Sequence, residues 1–166
     1  MLLTERGKAM KKTLCLLLMI SLLFSVPVFA EGTSIDIGDA TYTDIQLYID
    51  GKAIPSYSYN GSTIVIIDDL LKYGFSNVWN EKYRVLTVKR DTAKAVTPMP
   101  AGAAVKPGTK AFDVYYTDID VYLEDRMVPA FSINNKMAVY VSDLSMYGAV
   151  IPNGEKKRID INLNKT

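Results

Sequence analysis

The sequence YTDIQLYIDGKAIPSYSYNG, residues 42–61, occurs a second time in altered form as YTDIDVYLEDRMVPAFSINN, residues 116–135. The same offset of 74 residues continues until Arg84 lies over Arg158, with 16 of 43 positions identical. Self-similarity at a fixed spacing indicates an internal duplication. The fold is therefore predicted to consist of one unit used twice.

Within each copy, apolar residues alternate with polar ones in the way that a half-buried strand requires. Leu47 and Ile49 share one predicted strand face, and Val121 and Leu123 repeat this face in the second copy. The run Ile64–Ile67 is continuously apolar, which predicts a buried strand.

Asp68 follows this run, Ser142 takes its place in the second copy, and both residue types favour a helix N-cap. The helix should be short, because Gly74 and Gly148 can end it in a left-handed conformation. Two further strands complete a β-β-β-α-β-β unit, and the predicted fold class is α+β.

The duplication divides the chain into segments. Residues 42–90 form the first repeat, residues 112–166 contain the second, and the Ala-, Pro- and Gly-rich residues 91–111 are predicted to link them. Residues 31–41 are expected to add a strand. A unit of about 48 residues is marginal alone, so either such extra strands or packing of the two copies together would complete it.

Residues 1–30 have the layout of a secretory signal peptide. Lys11 and Lys12 precede an uncharged apolar run, residues 14–26, which is shorter than the roughly 20 residues that span a bilayer. Cleavage is predicted between Ala30 and Glu31, and either Met1 or Met10 could be the start. The exported chain is expected to be secreted or held in the cell envelope, without a membrane span.

Charge and composition exclude several classes of function. The chain has 166 residues, 19 Lys plus Arg and 18 Asp plus Glu, so its net charge of +1 provides no large basic surface for a nucleic-acid backbone. It has no His and one Cys, which removes imidazole-based catalysis and any cysteine zinc cluster. No nucleic-acid partner and no cofactor are expected.

Two groups of carboxylates are candidate chemical sites. Asp68-Asp69 could be a catalytic pair, but a helix cap with a favourable first-turn charge explains both residues. Asp36, Asp39 and Asp44 lack the spacing of a calcium loop. No catalytic residue and no metal ligand is predicted, and the chain is not expected to be an enzyme.

Three aromatic residues are the candidates for ligand binding. Tyr48 and Tyr122 occupy the same position in the two copies, opposite the apolar strand face. Their rings could stack on a sugar or contact a protein partner if that face is open, or could pack under a neighbouring element if it is not. Trp79 precedes a turn, where it could be either a sugar platform or part of the core.

The repeat resembles the copper amine oxidase N-terminal-like domain, also called the stalk domain of exported bacterial proteins. The first copy carries the likeness in the motifs Asp50-Gly51-Lys52, Asn60-Gly61, Asp69-Leu70, Tyr73-Gly74 and Val78-Trp79-Asn80. The second copy keeps the helix and its glycine but lacks the tryptophan. The resemblance implies two tandem α+β units, each an antiparallel sheet curled around one short helix, and it does not imply the oxidase.

These observations predict a non-catalytic exported module with a structural or binding role in the bacterial cell envelope or extracellular space. Its expected partner is a cell-wall polymer or another envelope protein. The alternative is a soluble protein that recognises cell-wall glycan or peptide through exposed Tyr and Trp, and the remote alternative is a hydrolase or metalloenzyme.

Overall fold

The computed structural model describes residues 35–99 and 105–164. In these ranges the chain forms fourteen strands and three short helical segments. The strands are β1 (Asp36–Tyr42), β2 (Gln46–Ile49), β3 (Lys52–Ile54), β4 (Tyr57–Tyr59), β5 (Ser62–Ile66), β6 (Phe75–Asn80), β7 (Val85–Arg90), β8 (Lys110–Tyr115), β9 (Asp120–Leu123), β10 (Arg126–Val128), β11 (Ala130–Ile133), β12 (Lys136–Tyr140), β13 (Gly148–Asn153) and β14 (Arg158–Leu163). The helical segments are the α-helical turn α1 (Ile67–Leu70) and the 3-10 segments η1 (Leu71–Tyr73) and η2 (Val141–Met146).

Six strands, three from each copy, close a barrel in the order β1, β4, β5, β12, β11, β8. Each strand contributes one buried residue to its interior: Ala40, Tyr59, Ile64, Val114, Ile133 and Ala138. Where the copies meet, equivalent residues lie opposite each other, Val65 with Val139 and Asp39 with Asp113. A pseudo-two-fold axis therefore passes through the barrel and relates the two copies.

The remaining strands form two four-stranded sheets, and each sheet combines hairpins from both copies. The first sheet has the order β10-β9-β7-β6, with β7 of the first copy parallel to β9 of the second. The second sheet has the order β13-β14-β2-β3, with β14 parallel to β2. In each sheet a hairpin of one copy therefore pairs with a hairpin of the other, and neither sheet is formed by one copy alone.

One large core joins both sheets to the outer side of the barrel. It contains Val65 and Val139 from the barrel and buried residues from both sheets and from the helical segments. Two tyrosines bond across it: the Tyr147 hydroxyl donates to the Val88 carbonyl at 2.7 Å, and the Tyr73 hydroxyl donates to the Ala53 carbonyl. The two copies therefore share one core.

The predicted α+β fold class is wrong. Strands account for 54% of the structure and helical residues for 10%, and no repeat is a sheet curled around its own helix. Apolar alternation identifies the buried face of a strand but not its neighbour. Because the copies are similar, a hairpin finds an equivalent docking site on the other copy, and the structure uses that site.

Several motifs behind the family resemblance form turns. Asp50 and Gly51 have φ of 46° and 77°, and Asn60 and Gly61 have φ of 48° and 75°. Positive φ at both central residues is the type I′ hairpin geometry, which Asp-Gly and Asn-Gly favour. These pairs therefore set the registers of β2 with β3 and of β4 with β5.

Two predicted details of the helical region are wrong. The α1 helix begins after Ile66 without a side-chain cap, and Asp68 lies inside its first turn, 3.5 Å from the Lys136 ammonium. Gly74 adopts the expected left-handed conformation, φ 82°, but Gly148 begins β13 instead. A Cβ on Gly148 would approach the Cα of Leu163 to 2.7 Å, so close backbone approach explains this glycine.

Candidate functional site

The candidate aromatic residues lie in different sheets. Tyr48 is on β2 in the second sheet, whereas Tyr122 on β9 and Trp79 on β6 belong to the first. The exchange of hairpins places β14 of the second copy beside Tyr48 and β7 of the first copy beside Tyr122. Each tyrosine points away from the core, on the outer face of its own sheet, because its strand neighbours are buried.

Strand pairing places four residues in one row across each outer face. In the first sheet the row is Val78, Thr87, Tyr122 and Met127. In the second sheet it is Ile151, Asp160, Tyr48 and Ala53. We call these rows the Tyr122 face and the Tyr48 face. Since they are related by the pseudo-two-fold axis, each position in one has a counterpart in the other.

The Tyr48 face is closed by charged side chains. The Arg158 guanidinium lies 3.6 Å from the centroid of the Tyr48 ring, a cation–π contact. Asp160 holds it in place with two hydrogen bonds, from Nε at 2.7 Å and from Nη2 at 2.5 Å. This bonding lowers the pKa of the Asp160 carboxyl. The Tyr48 hydroxyl donates to Gln46 Oε1 at 2.8 Å, so the ring is fixed and one side is covered.

The Tyr122 face lacks these charges. Val85 takes the register position of Arg158, since Val85 lies opposite Asn80 as Arg158 lies opposite Asn153. Thr87 stands where the other face has Asp160, and Met127 stands where it has Ala53. Val78 and Met127 are 60% and 56% exposed. The row is therefore an apolar stripe across four strands with the half-buried Tyr122 within it.

Trp79 follows Val78 on β6, the edge strand of the first sheet, and its side chain points to the opposite face of that sheet, the side of Leu86. Its side chain is 42% exposed, and its indole Nε1 donates to Glu81 Oε2 at 2.5 Å. Tyr83, in the same hairpin, is 63% exposed. The hydrogen bond to Glu81 therefore holds the indole at the surface, and a second exposed aromatic residue, Tyr83, follows four positions later in the sequence.

Four of the five candidate carboxylates bond to other groups of the protein: Asp36, Asp39, Asp44 and Asp68. Asp39 Oδ1 lies 2.8 Å from the Lys110 ammonium, and Asp36 Oδ1 accepts the Gly38 N–H at 2.9 Å. Asp44 pairs with Lys157 at 2.5 Å, and this bond lowers the pKa of Asp44. Burial raises the pKa of Asp69. In residues 35–99 and 105–164, no three His, Cys, Asp or Glu side chains are grouped to hold a metal ion.

A shallow pocket of about 300 Å³ lies between the β13–β14 turn and the segment before β2. Its lining consists of Asp44, Ile45, Pro152, Asn153, Gly154, Lys157, Arg158 and Ile159. Each charged side chain in it has an ion-pair partner, Asp44 with Lys157 and Arg158 with Asp160. The pocket therefore offers no uncompensated charge to a ligand.

The predicted signal cleavage residues, Ala30 and Glu31, lie outside the described residues. Within the described part of the chain, no helix has the length and apolar character needed to cross a membrane.

The chain matches no family model, no curated protein and no solved structure. The resemblance to the copper amine oxidase N-terminal-like domain stays a prediction.

The sequence predicts Tyr48, Tyr122 and Trp79 as candidate contacts, and it does not single out the other members of the Tyr122 row, which are Val78, Thr87 and Met127. The sequence does contain a signal for this surface: at equivalent positions of the two copies, Thr87 replaces Asp160 and Val85 replaces Arg158, so the first copy has uncharged residues where the second has charged ones. The repeat offset falls from 74 to 73 between the helical segments and the last hairpins, which hides the contrast in a simple alignment. The contrast becomes visible only when the strand registers are known.

Proposed function

We propose that this protein is a non-catalytic exported module of the bacterial cell envelope or extracellular space, and that it binds a partner through the Tyr122 face. The main support for this proposal is the difference between the two equivalent faces. Arg158 and Asp160 close the Tyr48 face, while Val85 and Thr87 at the same positions leave the Tyr122 face apolar.

The size and chemistry of the Tyr122 face suit another envelope protein. Three strand spacings of about 4.8 Å make the row about 14 Å wide. Single exposed apolar residues are ordinary, but a contiguous apolar patch on a soluble domain indicates an interaction surface. Tyr and Met are both enriched in protein interfaces. The interlocked sheets supply a rigid support for this surface.

The test is photo-crosslinking in cells that export the protein. A photoreactive amino acid replaces Thr87 in one variant and Asp160, its counterpart on the closed face, in the other. The proposal predicts a discrete protein adduct from position 87 and none from position 160. Equal adducts from both positions, or none from either, would contradict it.

A second candidate function is recognition of cell-wall glycan or peptide, and the exposed Trp79 and Tyr83 favour it. Aromatic rings at a surface can stack on sugar rings. Because Trp79 is the chain's one tryptophan, its fluorescence reports directly on such contact. Titration with soluble peptidoglycan fragments should change this fluorescence in a saturable way that Tyr83→Ala weakens. A flat titration would remove this candidate and leave the protein partner.

A further inference from the structure

The free edge of the first sheet is β6, and its backbone hydrogen-bonding groups alternate in direction. Arg90 on β7 lies opposite Phe75, but its N–H points away from β6 and donates to Glu124 Oε1 at 2.8 Å. The Phe75 carbonyl turns the other way and accepts from the Lys94 ammonium at 3.1 Å. Phe75 and Arg90 are therefore a pair without mutual hydrogen bonds. By the two-residue alternation of antiparallel strands, Asn77 and Trp79 also direct their backbone groups away from β7.

The equivalent edge, β13 in the second sheet, is blocked. Pro152 lies opposite Ile159 as Trp79 lies opposite Leu86, so the proline takes the position of Trp79. Proline has no N–H to offer a further strand and is a common protection of sheet edges. In β6 the same position keeps its N–H, and the strand sequence FSNVWN contains neither a proline nor a charge. Among the described strands, only β7 pairs with β6.

We propose that β6 pairs with β6 of a second copy of this chain, antiparallel and centred on Val78. In this register Asn77 of one copy lies opposite Trp79 of the other. Both residues direct their N–H and C=O outward, so the two-fold arrangement forms four backbone hydrogen bonds. The strands are uncharged, and no like charges are brought together.

The charges at the ends of β6 complement each other in this register. Glu81 of one copy falls opposite Phe75 of the other, whose carbonyl holds the Lys94 ammonium. A carboxylate and an ammonium therefore meet at both ends of the paired strands. A register centred on Asn77 places Glu81 opposite Tyr73, which is buried, and loses this complementarity.

Pairing at β6 extends the Tyr122 face. Val78 is the first residue of that row, so the two rows join at the axis into one stripe across an eight-stranded sheet. The dimer does not depend on the proposed function, because it forms without a ligand. The pairing involves one short strand from each chain, so we expect a weak, concentration-dependent dimer.

Sedimentation velocity tests this proposal by measuring the mean mass of the protein in solution at a series of protein concentrations. The native chain should form dimers as its concentration rises, and Asn77→Pro, which removes one outward N–H per copy, should raise the dissociation constant about tenfold or more. Asn162→Ser, an exposed change on β14, is the control and should leave dimerisation unchanged. Circular dichroism checks that both variants remain folded. A native chain that stays monomeric at every concentration would overturn the proposal.

Cysteine trapping tests the register. Residues opposite each other in a pair without hydrogen bonds have Cα atoms about 4.5 Å apart, within disulfide range. In a Cys15→Ser background, Val78→Cys should therefore form a covalent dimer in oxidised glutathione. Met127→Cys, of similar exposure but far from the axis in the row, should not. Equal trapping at both positions, or none at Val78→Cys, would refute the register.

Discussion

The substitution Ile161→Ala tests whether the two sheets unfold as one unit. Ile161 is 1% exposed and lies on β14 between Val150 and Ile49, so it contacts strands of both copies. Truncation of a buried isoleucine to alanine costs about 2–5 kcal/mol. With a urea dependence of about 2 kcal/mol/M, a loss of about 3 kcal/mol lowers the unfolding midpoint by about 1.5 M.

The assay follows urea unfolding with two probes. Trp79 fluorescence reports on the first sheet, which does not contain Ile161, and far-UV circular dichroism reports on all strands. Because both sheets share one core, both probes should shift equally. Ile151→Ala, at a 48% exposed position of the second sheet, should stay within about 0.5 kcal/mol of the native chain. A Trp79 transition that keeps its native midpoint in Ile161→Ala would refute the shared core.

Three further substitutions test other parts of the account. Gly148→Ala should lower the free energy of unfolding by several kcal/mol, as other severe core defects do, because the added Cβ collides with the backbone of β14. Thermal unfolding measures this loss. Tyr147→Phe should lower the free energy of unfolding in urea by about 1 kcal/mol, because the Val88 carbonyl loses the tyrosine hydroxyl but keeps the Glu124 N–H at 2.8 Å. Burial raises the pKa of Asp143, so its contribution to stability is full below the unfolded-state value and is lost as pH rises through the folded pKa. As pH rises above the unfolded-state value of 3.8, the unfolding free energy of Asp143→Asn should therefore rise relative to that of the native chain, and parallel pH profiles of the two chains would argue against burial of this carboxyl.

The duplication read from the sequence accounts for much of the architecture. It predicts equivalent strands and turns, and the structure has them, related by an axis through Val65 and Val139. The exchange of hairpins could not be read in the same way. A strand's pattern specifies a buried face, and two similar copies offer two similar partners for that face. The choice between them depends on packing across the whole core.

In the candidate site too, the sequence predicts the residue positions but not their neighbours. Tyr48 and Tyr122 are equivalent positions of the repeat, and the sequence predicts both as candidate ligand contacts. Only the strand register shows that Arg158 stacks on Tyr48 and that no arginine has the equivalent place beside Tyr122. The helix cap expected at Asp68 failed for a related reason, since the strand β5 passes directly into α1 without a separate capping residue.

The most direct test of the proposed function is binding to purified bacterial cell envelopes. Met127 and Ala53 are exposed counterparts at the ends of the Tyr122 and Tyr48 faces, so the same substitution, Met127→Lys or Ala53→Lys, provides a matched pair. Cosedimentation should fall about tenfold for Met127→Lys, because a charge enters the apolar stripe, and should be unchanged for Ala53→Lys. Equal binding of the two variants would contradict the assignment of the Tyr122 face as the binding surface.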